Sequence, residues 1–142
     1  MKAGDGILSH DPATVEGRLT LAKQDLDTAK QLLGADHYHR MVGAAVHRAI
    51  EQSYKALLLF NGQTTEETND LNQLREASAP YLAFGLYTQN DLLDKLTEFS
   101  RNPFPSCGLI NFEKEVFAEA NCFAHLLFDC VLQLVGLTHR DI

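Results

Sequence analysis

The sequence has no tryptophan, only four prolines and three cysteines, and no obvious segment that would target it to a membrane. No apolar run approaches the roughly 20 residues that cross a bilayer, and Met1–Gly6 lacks the apolar core of a signal peptide. We therefore expect a cytoplasmic protein without membrane contact. Cys107, Cys122 and Cys130 have no metal-type spacing, and an odd number of cysteines does not make a disulfide framework. Cys122 and Cys130 fall in an apolar helical pattern, which predicts reduced, buried thiols.

Several sequence signatures of chemistry are also missing. There is no Gly-rich phosphate loop, no His-Glu-x-x-His and no Cys-x-x-Cys. His37 and His39 have no third ligand close in sequence, so we expect neither a metal nor a cofactor. The net charge of −7 opposes non-specific binding to nucleic acids, because that binding depends on Lys and Arg displacing counterions. Any contact with nucleic acid would be local.

A chain of 142 residues with 45% hydrophobic content is expected to form one globular domain. We expect residues 1–13 to be a flexible tail and residues 14–142 to be the domain. Asp11-Pro12 and Thr14 carry helix start signals, and the helix that follows is predicted to end at Gly34. Its apolar residues recur at intervals of three and four: Val15, Leu19, Ala22, Leu26, Ala29 and Leu33.

The next stretch, Arg40–Gly62, is predicted to be the central helix of the fold. Its first half is rich in small residues, which allow a neighbouring backbone to approach closely. Its second half is apolar on nearly all sides from Leu57 to Phe60, which predicts that several elements surround it. Asn61-Gly62 is typical of a helix end.

Three further helices follow. Thr68 or Asn69 is expected to cap a short one that Pro80 ends, and a fourth helix is predicted over about 89–102. The last, from about 112 to 137, has an apolar face broad enough for a dimer contact. Because no strand-like alternation appears, the sequence predicts an all-α fold, an antiparallel up-and-down bundle of four long helices plus a short fifth helix.

A polar stripe crosses the central helix. Arg48, Glu51, Gln52 and Lys55 are spaced at three and four residues and therefore share one side. Two interpretations of the stripe remain open, and they do not exclude each other. In the first, Glu51 pairs internally with Lys55 and Arg48. In the second, the stripe faces a ligand or a partner.

Three segments carry a family resemblance. Residues 45–62, with Glu51-Gln52, Lys55-Ala56-Leu57-Leu58 and the final Gly62, resemble the second helix of the HEPN (higher eukaryotes and prokaryotes nucleotide-binding) domain. Residues 68–74 resemble that family's Thr-His-Asp-Leu-x-x-Leu helix, with Asn69 in place of the His. Ser100-Arg101-Asn102-Pro103 resembles its Arg-Tyr-Pro segment. The likeness covers about residues 15–137 in element order.

This resemblance implies a compact helical bundle, commonly a homodimer. It also implies a role beside a small nucleotidyltransferase in toxin-antitoxin or similar two-gene systems of prokaryotes. The residues that we expect to bind a nucleotide or a partner are Arg48, Glu51, Lys55, Asp70 and Arg101.

Ribonuclease members of the family carry an Arg followed by a polar residue, with a His four to six residues after the Arg. Arg101-Asn102 matches the start of this pattern, but residues 105–107 are Pro, Ser and Cys, so the acid-base group is missing. We therefore expect no catalytic residues and a non-catalytic module. One alternative is a metal-independent ribonuclease that combines Arg101 with His47 or His125 across a dimer. Another is a structural scaffold whose last helix docks a separate nucleotidyltransferase chain.

Overall fold

A computed structural model describes residues 14–35, 39–64, 68, 70–82, 93–94, 96–97 and 110–142. This part of the chain is helical and contains no strand, which confirms the expected all-α class. The elements are α1 (Val15–Ala35), α2 (His39–Phe60), α3 (Leu71–Ser78), a 3-10 turn (Ala79–Tyr81) and α4 (Ile110–Val135). The predicted tail and most of the helix predicted over 89–102 lie outside the described residues.

Helices α1 and α2 run antiparallel and form the most extensive contact between elements. Their direction is evident from two bonds between them, since Arg18 reaches Gln52 whereas Asp25, further along α1, reaches Arg48, which comes earlier in α2. Small residues line the contact and are fully buried, which agrees with the expected close approach of backbones: Ala22, Ala29, Ala45 and Ala49.

Helix α4 packs against both α1 and α2, and α3 packs against α2. The broad apolar face of α4 is mostly used inside the chain, where Phe117, Leu127 and Phe128 are buried. The expectation for the cysteines is wrong in part, because Cys122 is exposed and Cys130 only half-buried. Cys122 lies on the same side of α4 as the exposed Leu126, four residues later, and therefore points away from the core.

The predicted end of α2 is confirmed. Gly62 has φ +75°, its N–H donates to the Leu59 carbonyl at 3.0 Å, and the Gln63 N–H donates to the Leu58 carbonyl at 2.9 Å. These two bonds are the Schellman arrangement that closes a helix. Phe60 is half-exposed, so the prediction that the last turn of α2 is surrounded on all sides is wrong at this residue.

The same Schellman arrangement ends α4, and it does so earlier in the sequence than predicted. Gly136 has φ +77°, and the Leu137 N–H donates to the Leu132 carbonyl at 2.9 Å. The helix therefore stops at Val135 rather than at about residue 137. At the other end of the chain, the Thr14 hydroxyl accepts from the Gly17 N–H at 2.9 Å, which confirms Thr14 as a start signal for α1.

Helix α3 begins with a different cap from the one predicted. The Asp70 carboxylate, rather than Thr68 or Asn69, accepts from the backbone N–H groups of Asn72 at 3.1 Å and Gln73 at 3.4 Å. Thr68 lies two residues before this N-cap, and its hydroxyl accepts a hydrogen bond from the Asp70 N–H.

A short helical segment contacts the start of α3. Residues 93, 94, 96 and 97 are helical, and Leu93 and Leu96 are fully buried. The Leu71 N–H donates to the Thr97 hydroxyl at 3.1 Å, which fixes α3 to this segment.

One part of α4 is more apolar than expected. By length and composition, Val116–Val135 could cross a bilayer, so the expectation that no segment reaches that length is wrong. A single helix of this kind is weak evidence for a membrane span, because the core helix of a globular protein passes the same test. In this protein 44% of the window is buried inside the folded chain.

Candidate functional site

The polar stripe of α2 contains an ion pair that is almost wholly buried. Lys55 Nζ lies 2.7 Å from Glu51 Oε2, which confirms the predicted pairing four residues apart. Lys55 is only 5% exposed. His47, one turn before Glu51 and also buried, places Nδ1 3.7 Å from the other carboxylate oxygen, Glu51 Oε1. His47, Glu51 and Lys55 thus form a continuous polar line along α2.

Arg48 does not pair with Glu51 as predicted. Its Nε donates to Asp25 Oδ1 of α1 at 3.3 Å, because the antiparallel packing brings that carboxylate beside it. Next to this pair, Arg18 Nη1 of α1 donates to Gln52 Oε1 at 2.9 Å. We call these residues the α1–α2 polar ladder: Arg18, Asp25, His47, Arg48, Glu51, Gln52 and Lys55.

The ladder has a local charge opposite in sign to that of the chain. It holds three cations (Arg18, Arg48 and Lys55) and two carboxylates (Asp25 and Glu51), which leaves one net positive charge with His47 neutral. The whole chain carries −7. Burial raises the pKa of Asp25, Arg48 opposes this, and Glu51 adds to it. The named residues of the ladder therefore include more cations than carboxylates, whereas the chain as a whole is acidic.

Two cations of the ladder keep unused hydrogen-bond donors. An ammonium group has three N–H donors and a guanidinium has five. In the described part of the chain, Lys55 has a single acceptor, Glu51, and Arg48 uses only its Nε. The Arg48 side chain is 55% exposed, whereas Lys55 is buried, and seven residues separate them by about 10 Å along the axis. N–H donors of ammonium and guanidinium groups are the donors that bind anion oxygens in proteins.

The other predicted site residues have different positions. The Asp70 carboxylate caps α3, as described above. Residues 101–109, which include Arg101, lie outside the described residues. His125 is half-buried on α4. His47 is 3% exposed beside Glu51, so its ring is shielded from solvent.

Sequence reasoning missed Arg18 and Asp25. It considered the polar residues of α2 alone, although Arg18 and Asp25 are seven residues apart and therefore share one side of α1. Only the register between α1 and α2 shows that this side meets Arg48 and Gln52.

Tyr54 is a second feature that the sequence did not indicate. It is fully buried, and within the described residues its hydroxyl has no hydrogen-bond partner. Burial raises the pKa of Tyr54, and the nearby Arg75 lowers it to a smaller extent. The phenol is therefore neutral at physiological pH.

Metal binding has no support in the part of the chain that the structure describes. No group of three or more His, Cys, Asp or Glu residues there could hold an ion. The side chains of His37 and His39 lie outside that part.

The fold and the ladder define an all-helical protein in which a central helix carries buried charged groups. The HEPN domain model matches residues 15–125, which is most of the chain, and the protein belongs to the HEPN domain family. The matched region includes α1, α2 and α3 and therefore the whole ladder. Neither a curated protein nor a solved structure matches the chain.

Proposed function

We propose that this protein is a non-catalytic HEPN module that binds a nucleotide, or a nucleotide-bearing partner, through the α1–α2 polar ladder. The observation that carries the proposal is the Lys55 ammonium, which is 5% exposed and has one acceptor for three donors in the described part of the chain. A buried donor without an acceptor costs roughly 1–3 kcal/mol, and more for a charged group. A phosphate oxygen at this point would remove that cost.

The rest of the ladder supports a phosphate-bearing ligand. Arg48 presents its terminal nitrogens at the rim, and a guanidinium binds phosphate oxygens in a bidentate manner. The charges of Arg48 and Lys55 attract a small anion, whereas the −7 of the whole chain repels a long polyanion. The proposal includes Arg101 as a further phosphate contact. Asp70 also remains a proposed binding residue, and a test must separate binding from its role as the N-cap of α3.

The biological setting of the proposal rests on family membership. We propose a cytoplasmic homodimer, folded as an up-and-down bundle of four long helices and a short one, that works beside a small nucleotidyltransferase in a prokaryotic toxin-antitoxin-like gene pair. Co-purification with the product of the adjacent gene tests the partnership. Failure of this protein to bind that product in a pull-down would contradict the proposed partnership.

The proposal assigns no reaction to the module. Residues 105–107 supply no His after Arg101, and the buried His47 is held beside Glu51. The ribonuclease alternative is tested by an RNA-cleavage assay. Cleavage that is abolished by both Arg101→Ala and His47→Ala would overturn the non-catalytic assignment.

Thermal unfolding in the presence of ATP tests binding at the ladder. A ligand at 100 times its Kd adds about 2.7 kcal/mol to the free energy of unfolding and so raises Tm. The double variant Lys55→Met/Glu51→Gln removes both charges of the buried pair together and should lose the rise in Tm. The control Lys30→Met removes an exposed lysine of α1 and should keep it. No rise with any nucleotide, or an equal rise in the double variant, would contradict the proposal.

A further inference from the structure

A large exposed apolar side chain lies on the same side of α2 as Arg48. Met41 is 56% exposed and precedes Arg48 by seven residues, which is about 10 Å along the axis. Ala44, which lies between them on this side, is half-buried and has only a methyl group as its side chain. The side of α2 that carries Arg48 therefore continues toward the start of the helix as an apolar surface with little bulk at Ala44.

Helix α1 contributes an apolar residue at the same level. Leu32 follows Asp25 by seven residues and shares its side of α1. Asp25 bonds to Arg48, and the two helices run antiparallel, so Leu32 lies about level with the residue seven positions before Arg48, which is Met41. Leu32 is half-buried and packs against the core. We call this surface the apolar platform: Leu32, Met41 and Ala44.

We propose that the apolar platform holds the base of a purine nucleotide whose phosphates lie at Arg48 and Lys55. This inference rests on the function proposed above, because the phosphates fix where the base can lie. Lys55 Nζ bonds to Glu51, which follows Arg48, whereas the platform precedes Arg48 on α2. The two cations are therefore at one end of this side of α2, and the uncharged surface is at the other.

The chemistry of the platform suits a flat aromatic ring. The polarizable sulfur of a methionine makes favourable contacts with aromatic rings, and its unbranched side chain adapts to their shape. A nucleotide has an anionic end and an aromatic end that are joined by one sugar, so it matches the order of cations and apolar side chains along α2. An inorganic phosphate would fill only the cationic end and leave Met41 exposed.

The platform selects by the size of the ring and does not read the edge of the base. The side chains of Leu32 and Ala44 have no polar atoms, and the Met41 sulfur is only a weak acceptor. Thr28, the exposed polar residue four positions before Leu32, donates its hydroxyl hydrogen to the Gln24 carbonyl at 3.0 Å. Adenine and guanine are therefore held equally well, and a pyrimidine buries less apolar surface than either.

Calorimetric titration of the full chain with ATP, GTP, CTP and tripolyphosphate tests this selectivity. We expect the affinities for ATP and GTP to agree within about threefold, and CTP to bind about fivefold more weakly. Tripolyphosphate offers phosphates without a base and should bind at least about tenfold more weakly than ATP.

Variants of Met41 test the position of the base. Because Met41 is largely exposed, they should fold normally. We expect Met41→Ala to lower the affinity for ATP about fivefold and to leave that for tripolyphosphate unchanged, whereas Met41→Leu should keep most of the affinity for ATP. The matched control is Phe60→Ala, since Phe60 is 51% exposed at the other end of α2, and it should change neither affinity.

The outcomes separate this inference from the function on which it rests. Tripolyphosphate or CTP binding as tightly as ATP would overturn the platform and leave the proposed anion site standing. The same holds if Met41→Ala leaves the affinity for ATP unchanged or lowers the affinities for ATP and tripolyphosphate equally. If neither ATP nor tripolyphosphate binds to the wild-type protein, the proposed function fails, and the base site fails with it.

Discussion

At the scale of single residues, the buried Lys55–Glu51 pair is the most informative feature of the protein. Removing ions from water is costly, and one attractive partner repays that cost only in part. Here the Lys55 ammonium has one carboxylate, and Glu51 divides its two oxygens between Lys55 and His47. This incomplete compensation is the reason that we propose an anion site at the pair.

The energetic link between these two residues can be measured. We expect Lys55→Met to lower the free energy of unfolding by about 2 kcal/mol, because it leaves the largely buried Glu51 carboxylate without its cation. Adding Glu51→Gln should recover most of this loss, as a double-mutant cycle in urea would show. Lys30→Met, an exposed control, should stay within about 0.5 kcal/mol of wild type. Additive losses in the cycle would show that the two residues are not coupled.

Asp25 gives the ladder a pH dependence. Burial raises its pKa above the ordinary 3.8, more than Arg48 lowers it. When the pKa of a carboxyl group is raised in the folded state, the group adds to the free energy of unfolding at pH values below its ordinary pKa of 3.8. This contribution is lost as the pH rises through the pKa of the folded state.

We therefore expect Asp25→Asn to raise the free energy of unfolding at neutral pH by up to about 1 kcal/mol. The difference from wild type should shrink as the pH falls toward the ordinary pKa of Asp25, because the native carboxyl is then neutral as well. Urea unfolding over a pH series measures this. Destabilisation of Asp25→Asn at neutral pH would show that the bond to Arg48 outweighs burial.

At the scale of elements, the helix ends depend on a few backbone positions. An added Cβ at Gly62 or Gly136 would meet nothing within 4 Å, so a substitution there is opposed by the positive φ alone. We expect Gly62→Ala and Gly136→Ala each to lower the free energy of unfolding by about 1 kcal/mol. Asn, which tolerates this conformation, should cost less at either position. Equal losses for Ala and Asn in thermal unfolding would contradict this explanation.

Helix α3 offers a test that separates a structural role from binding. Asp70→Ala should lower the free energy of unfolding by about 1 kcal/mol through loss of the N-cap, and Asp70→Asn should retain most of the cap. If the carboxylate only caps α3, neither variant will change the affinity for ATP beyond its effect on folding. A tenfold loss of ATP affinity in a well-folded Asp70→Asn would place Asp70 in the binding site.

Sequence patterns predicted the elements better than their contacts. The three-and-four spacing in α1 and Asn61-Gly62 at the end of α2 indicated helices that the structure contains, because these signals are local. The sequence pattern indicated Thr68 or Asn69 as the cap of α3, whereas Asp70 is the cap, because the choice among neighbouring polar residues depends on one turn of backbone. The exposure of Cys122 depends on which side of α4 meets the core, since apolar residues occur on both.

At the scale of the whole molecule, the proposed binding rests on a contrast between local and total charge. The ladder holds three cations and two carboxylates, whereas the chain carries −7. The sequence indicated Glu51 and Lys55 because they share one helix. The positions of Arg18 and Asp25 beside Gln52 and Arg48 depend on the register between α1 and α2, so the sequence of either helix alone could not predict them.

Calorimetric titration of the wild-type protein with ATP and with adenosine tests the central claim most directly. We predict that ATP binds, that adenosine binds at least about tenfold more weakly, and that Lys55→Met/Glu51→Gln loses at least about tenfold in ATP affinity, because the phosphates supply the acceptors that Lys55 and Arg48 need. The control Lys30→Met should bind ATP like the wild type. Equal affinities for ATP and adenosine, or ATP binding that survives the double variant unchanged, would contradict the account.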